Sequence, residues 1–273
     1  MLYTAQQTSD FTHHHFEFLL VTEAGHVLTI TLNRPEKKNA MNAVLMKELA
    51  FALSYAHHQP AIWVVVLAAQ GTIFCAGADL KAFAGEQTVS NSTIPEPAEP
   101  IRLGDAFAGL QKPCIAQVHA AVYAGGFLLL GGCTHVIASD NATFSLPEVK
   151  RGLFPFQVMA SLLPLMPART VLDLCIRART LSAAEALQTG LISEVVTTDQ
   201  LEERVRQLTE EILQMSPVAI RMGLQAYQEM QRLSHEQQHT YLHGMLQQVL
   251  QTEDAAEGIA AFAEKRPPIW KGK

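Results

Sequence analysis

The stretch WVVVLA, residues 63–68, decides the class of this fold. A continuous run of β-branched and aliphatic residues has no polar face to turn to water. It therefore reads as a strand buried on both sides. CIAQV at 114–118, just after Lys112-Pro113, is a shorter strand of the same kind. Two buried strands separated by helical segments predict an α/β layer with crossover connections.

Working outward toward the N-terminus, residues 16–22 and 26–33 flank Glu23-Ala24-Gly25, a hairpin pattern. Asn33-Arg34-Pro35 is a turn, and Met41 to His57 carry a helical period through Leu45, Leu49, Ala52 and Leu53. The segment TSDFTHHHFEF at 8–18 has no helical or turn spacing of its histidines, so it reads as a solvated, frayed terminus rather than a metal site.

Toward the C-terminus the pattern becomes helical. Ser182–Glu185 and Asp199–Glu202 look like capping boxes, and Ser216-Pro217 is an N-cap with proline at N1. Amphipathic stretches follow at 201–214, 217–231 and 235–251. The polar, proline-rich residues 84–100 read as a mobile loop rather than a linker, because the pattern resumes on both sides. The chain thus divides into a β/α core over 1–200 and a helical region over 201–273.

Composition narrows the function classes. The chain has 273 residues, 48% of them apolar, enough for a sizeable core. A net charge of −6 without a basic block argues against a nucleic-acid partner. The longest apolar runs, 62–69 and 127–130, are too short to span a bilayer. No basic segment followed by an apolar one opens the chain, so no signal peptide is read. The cysteines at 75, 114, 133 and 175 form no C-x-x-C pair and suit free thiols in a reducing cytoplasm.

Four stretches could carry chemistry. HAAVYAGGFLLLGGC, 119–133, sets Gly125 and Gly126 before an apolar helix. A phosphate loop, a packing corner and an oxyanion hole would each use such glycines. No Gly-Lys-Ser/Thr follows, and G-x-G-x-x-G is absent, which removes the nucleotide loops. FCAGADLKAF, 74–83, has small residues that let a ligand approach backbone N–H groups, though alone it is a plain strand-to-helix turn. FSLPEVKRGLFP, 144–155, puts Glu148 in apolar company, where burial would raise its pKa. AFAEKRPPIWKG, 261–272, offers Phe262, Lys265 and Arg266 either to a ligand or to docking on the chain's own core.

Taken in order with LNRPEKKNAMN and RTLSAAEALQTGLISEVV, these motifs resemble the crotonase (enoyl-CoA hydratase/isomerase) superfamily over residues 16–271. The resemblance implies a ββα spiral core, C-terminal helices that build a homotrimer or a dimer of trimers, and an acyl-CoA substrate. Coenzyme A would enter as part of that substrate, with no other cofactor and no metal. Two backbone N–H groups, of Ala78 and Gly125, would hold a thioester enolate. Lys38, Ala40, Ala76, Leu80, Lys81 and Lys265 would bind CoA, the last from the C-terminal region of this or a neighbouring subunit. Leu128, Phe156 and Phe262 would line the acyl pocket.

One departure is informative. Two-carboxylate hydratases carry a glutamate three residues after the oxyanion glycine and another in the P-E motif. Here those positions are Leu128 and Glu148. A leucine cannot position water, whereas a single carboxylate suffices to move a proton from C2 to C4 of a 3-enoyl thioester. The favoured expectation is a 3-enoyl to 2-enoyl-CoA isomerase working through Glu148. The alternatives are a hydratase using Glu148 alone, a non-catalytic acyl-CoA binder and, more remotely, a decarboxylase or thioester hydrolase. Asp79, His119, Asp140 and His243 are read as structural: a helix cap, a strand end, a turn and a helix face.

Overall fold

The computed structural model describes residues 1–83 and 89–273. Its main sheet begins with a hairpin of β1 (Leu19–Ala24) and β2 (Val27–Leu32), paired antiparallel from Leu19↔Leu32 to Ala24↔Val27. Gly25 turns the hairpin at φ +57°, a left-handed angle that glycine adopts without strain. Helix α1 (Ala43–His58) follows, its first turn capped by the Asn42 side chain, which accepts from Leu45 N–H at 2.8 Å. Strand β3 (Val64–Ala69) then lies parallel to β2.

Strand β3 is buried on both faces, as its sequence demands. Val65 and Leu67 belong to the large core that takes in the inner face of α1, whereas Val64 and Val66 join Ile115 and Ile137 on the other face. After the short helices α2 (Leu80–Phe83) and α3 (Leu103–Ala108), β4 (Cys114–Val118) continues the parallel layer.

A second, smaller layer departs from the expected pattern. It is made of β5 (Val122–Tyr123), β7 (Thr143–Ser145) and β8 (Thr180–Ser182), while β6 (His135–Ser139) and β9 (Glu194–Val196) complete the main sheet in the order β1-β2-β3-β4-β6-β9. Helix α4 (Phe127–Gly131) packs on α5 (Phe156–Leu162) and α5 on α6 (Ala168–Arg177), while α7 (Ala183–Gln188) lies against β7, β8 and β9. Ser182 and Glu185 form the capping box read from the sequence.

Helix α8 (Leu201–Leu213) lays Leu201 and Val205 over the outer face of the sheet. It has no capping box: residues 198–200 form a 3-10 turn, so Asp199 lies inside a turn instead of capping one. Helices α9 (Pro217–Met230), α10 (His235–Val249) and α11 (Glu253–Glu264) complete the chain, with Ser216 capping α9. None of the described helices is long and apolar enough to cross a membrane.

One expectation is corrected at the N-terminus. Residues 1–17 are not frayed. Tyr3 is 1% exposed and meets Phe51 edge-on at 5.1 Å, while Phe11 stacks on Tyr55 at 3.8 Å. Aromatic residues scattered without a period still build an apolar face, and its burial fixes the segment. The expected loop is also tied down over its described part, 89–100, by hydrogen bonds from that same segment; residues 84–88 lie outside the described residues. The four cysteines are free, and the Cys114 and Cys133 sulfurs face each other at 3.4 Å.

Candidate active site

Three chain segments leave the small layer side by side. Cys75 bridges Val122 in parallel, and β5 pairs in parallel with β7 through Val122↔Phe144 and Tyr123↔Ser145. Each segment then runs off the same edge. The first reaches Ala78, the second Gly125 and the third Glu148. A fourth joins them where Met41 bridges Ala78, with Met41 N–H donating to Gly77 O at 2.7 Å and Asp79 N–H to Met41 O at 2.9 Å.

The two turns touch. A Cβ on Gly77, which sits at φ +87°, would come within 2.5 Å of Ala124 Cβ and 2.9 Å of Gly125 N. A Cβ on Gly125 would lie 3.5 Å from Ala78 N and 3.2 Å from Met41 Cε. The missing side chain thus keeps open the approach to the Ala78 amide. Gly126 does different work. A Cβ there would press on Val122 at 3.0 Å and Cys75 at 3.1 Å, so the second glycine is the packing corner.

Gly125 lies in the 3-10 turn Ala124–Gly126 that opens into α4. Among the described residues, neither the Ala78 nor the Gly125 N–H donates to a protein acceptor. Ala124 adopts φ +53°, a left-handed angle uncommon for a residue with a Cβ. Two unpaired N–H groups on adjoining turns are equipment for an oxyanion.

The Lys38–Ala40 segment is held by its neighbours. Lys38 and Asn39 are both left-handed, at φ +54° and +53°. The Asn39 side chain accepts from Arg34 N–H and donates to Gln70 O and Ile73 O. Arg34 donates to Ala40 O at 2.8 Å and pairs with Asp79 at 2.7 Å, which holds the Asp79 carboxyl below its ordinary range. Asp79 also accepts from Lys81 N–H at 3.1 Å. Ala76 N–H is already spent on Lys38 O at 3.0 Å, so a ligand meets that residue through other atoms. Lys38, Leu80 and Lys81 are exposed around this rim.

Glu148 opens a 3-10 turn directly after β7. Its Oε2 is buried with no hydrogen-bond partner. Burial pushes its pKa up, opposed by its own backbone N–H and by the Arg151 charge. Fully buried Cys175 of α6 lies within reach of the Glu148 charge, and its thiol is raised by burial and by that charge. Nothing in the sequence ties Cys175 to Glu148, because the link runs through packing of α6 on the 3-10 turn. Leu128, on α4, is 9% exposed.

The remaining candidates stand apart in the single chain. Phe156 begins α5 with 68% exposure, its ring 5.0 Å from Phe154. Phe262 is 88% exposed on the last turn of α11, and Lys265 caps that helix in a left-handed conformation. Among the described residues, no hydrogen bond or ion pair links Phe262 or Lys265 to the turns of Ala78 and Gly125. His119 Nε2 lies 2.8 Å from Gly71 O, a loop contact.

A family model described as enoyl-CoA hydratase/isomerase matches residues 22–273. The chain belongs to the enoyl-CoA hydratase/isomerase family.

Its crotonase fold is shared with solved structures of its relatives. The enoyl-CoA hydratase of Mycobacterium tuberculosis H37Rv superposes with a TM-score of 0.83 at 30% identity, covering 94% of this chain and 99% of that one. The enoyl-CoA hydratase of Bacillus anthracis gives 0.83 at 28% identity over 94% and 100%. Among curated relatives, carnitinyl-CoA dehydratase of Escherichia coli K12 is 34% identical over 269 residues, covering 94% of this chain and 99% of the relative. Within this enoyl-CoA hydratase/isomerase family the protein combines a half-buried Glu148, its Oε2 inaccessible, with an apolar residue at 128. Residues 1–21 precede the family match altogether.

Proposed function

We propose that this protein converts 3-enoyl-CoA to 2-enoyl-CoA thioesters, with Glu148 as its one proton shuttle. The observation that carries this reading is the buried, unpartnered Oε2 of Glu148, beside the small layer that also sends out Ala78 and Gly125. The Glu148 carboxylate takes a proton from C2 of the substrate. The resulting dienolate bears its charge on the thioester oxygen, between the Ala78 and Gly125 N–H groups. Glu148, now neutral, returns the same proton to C4. No water is consumed, which suits an apolar Leu128. Each N–H donor is worth about 3–4 kcal/mol of barrier.

Coenzyme A enters as the carrier of the acyl group. Lys38, Ala40, Ala76, Leu80 and Lys81 form the rim that receives it, with the exposed lysines facing its phosphates. Lys265 reaches a CoA bound by a neighbouring copy, and Phe262 closes an acyl pocket with Leu128 and Phe156. Apolar side chains left exposed on α10, at its C-terminal end and on α11, among them Leu246, Leu250 and Ile259, suit burial between copies in a trimer or a dimer of trimers. Four free cysteines fit a cytoplasmic location.

A second reading is addition or removal of water, favoured by the identity to enzymes named carnitinyl-CoA dehydratase. There Glu148 would take the C2 proton and give it to a leaving hydroxyl on C3. The test offers 3-enoyl-CoA and 2-enoyl-CoA separately, following the conjugated thioester absorbance and product mass. Conjugation rising from the 3-enoyl substrate at constant mass supports the isomerase. A product heavier by one water from the 2-enoyl substrate would replace it with the hydratase. Tight binding without turnover of either would leave an acyl-CoA binder.

A further inference from the structure

The N-terminal residues that lie outside the family match grip one loop of the core. Tyr3 Oη donates to Pro95 O at 2.9 Å. His15 and Thr93 exchange two bonds, His15 N–H to Thr93 Oγ1 at 2.8 Å and Thr93 N–H to His15 O at 3.1 Å. His14 Nδ1 lies 3.0 Å from Thr93 O and 3.2 Å from Thr93 Oγ1, and its Nε2 faces Asp10 at 3.3 Å. Glu17 Oε2 accepts from Ser90 Oγ at 2.5 Å and from Asn91 N–H at 2.7 Å. The grip is itself anchored on α1, where the buried Glu48 carboxylate accepts from Glu17 N–H and Phe18 N–H. Tyr3 and Phe11 pack on Phe51 and Tyr55 of the same helix.

The gripped residues run straight on into 96–101, which with Ala43, Met46 and Lys47 of α1 line a cleft of about 420 Å³. Glu96 pairs with Lys47 across it. The lining residue Ala43 follows closely in sequence on Met41, the neighbour of the oxyanion turns. Met41, just before α1, faces Gly125 and bridges Ala78, and Met46 is only about 4.5 Å along the helix axis from Ala43.

We propose that residues 1–17 are a strap that holds the 90–95 segment, and with it the wall that follows, against α1 and thereby limits how long an acyl chain the cleft accepts. This rests on the acyl-CoA reading above. A strap that only stabilised α1 would have no need of polar bonds to Ser90, Asn91, Thr93 and Pro95, the residues that lead directly into that wall. Residues of the strap touch no reacting atom; they position the wall.

The test uses the 273-residue chain and its double variant Tyr3→Phe/Thr93→Val, which removes the Tyr3 and Thr93 hydroxyl bonds to and from the loop while keeping the aromatic packing. Calorimetry measures Kd for saturated butyryl-CoA and octanoyl-CoA, which bind without turnover. Loss of two such hydrogen bonds is expected to shift the octanoyl-to-butyryl affinity ratio by about fivefold or more toward octanoyl-CoA. Amide exchange at Asn91 and Thr93 is expected to accelerate in parallel. Tyr3→Phe/Thr93→Ser, which keeps the hydroxyl, is expected to recover most of the wild-type ratio. A ratio unchanged within about twofold, or an equal shift in the serine variant, would overturn the strap while leaving the acyl-CoA reading intact. Should the double variant fold poorly, Glu17→Gln loosens only the Ser90 and Asn91 end and is held to the same ratio. Wild-type protein that binds neither thioester would overturn both readings.

Discussion

The Arg34 guanidinium meets the Asp79 carboxylate at 2.7 Å, joining the loop of Lys38 and Ala40 to the turn of Ala78. Both side chains are largely buried, and Arg34 also lies over the Phe18 ring at 5.1 Å. Removing one partner strands the other charge. Asp79→Asn is expected to cost about 3–5 kcal/mol in denaturant unfolding. Because the Asp79 pKa is lowered in the fold, by the Arg34 bond above all, its contribution is complete above the ordinary carboxylate range. It disappears as pH falls through the lowered value, so wild type and variant should converge in acid. A constant difference at all pH values would assign the stability to something other than this pair.

The adjacent glycines should fail in different ways. Gly125→Ala puts a methyl group 3.5 Å from Ala78 N, so the expected loss is in kcat, about 10²-fold, with the fold retained. Gly126→Ala presses on Cys75 and Val122 and should cost about 1–3 kcal/mol of stability. Steady-state kinetics beside thermal melts separates the two, and similar behaviour from both variants would contradict the division of labour.

Glu148→Gln is expected to lower kcat by about 10²- to 10⁴-fold with little change in the affinity for CoA thioesters. Burial raises the Glu148 pKa, so the acid limb of the rate profile should lie above the ordinary carboxylate range. The sign for stability is the reverse of that for Asp79. A raised value means the fold prefers the protonated acid, and its stabilisation is lost as pH rises through the folded pKa. Glu148→Gln should therefore gain in melting temperature, relative to wild type, as the medium moves from acid to neutral.

Leu128→Ala separates packing from chemistry. It opens a space in the core next to Phe127 and Leu129 and should cost about 2–5 kcal/mol. Isomerisation, measured well below the melting temperature, is expected to survive. Abolition of turnover to the extent seen in Glu148→Gln would give residue 128 a chemical role that a hydrocarbon cannot have.

Much of the fold was legible because local pattern and burial agree. The run 63–68 gave a two-faced strand, and Ser182 and Ser216 mark helix starts that their side chains then cap. The small layer was not legible. Strands of two or three residues, such as Val122–Tyr123, are too short to show a period, yet they aim Gly125 and Glu148. Glu148 could be singled out from its apolar company, whereas Cys175 behind it could not, since that contact belongs to tertiary packing. The N-terminal strap was missed for a related reason: Tyr3, Phe11 and Phe16 form a face only once α1 exists to receive it. Asp199 misled because a capping-box spelling also fits a 3-10 turn.

The small layer has a kinetic corollary. Its three tracks come from distant parts of the sequence, with β3, β4, β6 and their connections lying between or beside them. Bringing the turns of Ala78 and Gly125 into register closes a long loop, which is slow compared with forming a helix. Helical signal regained after dilution from denaturant should therefore run ahead of catalytic competence. Recovery of turnover then becomes a clock for the last long-range strand pairing.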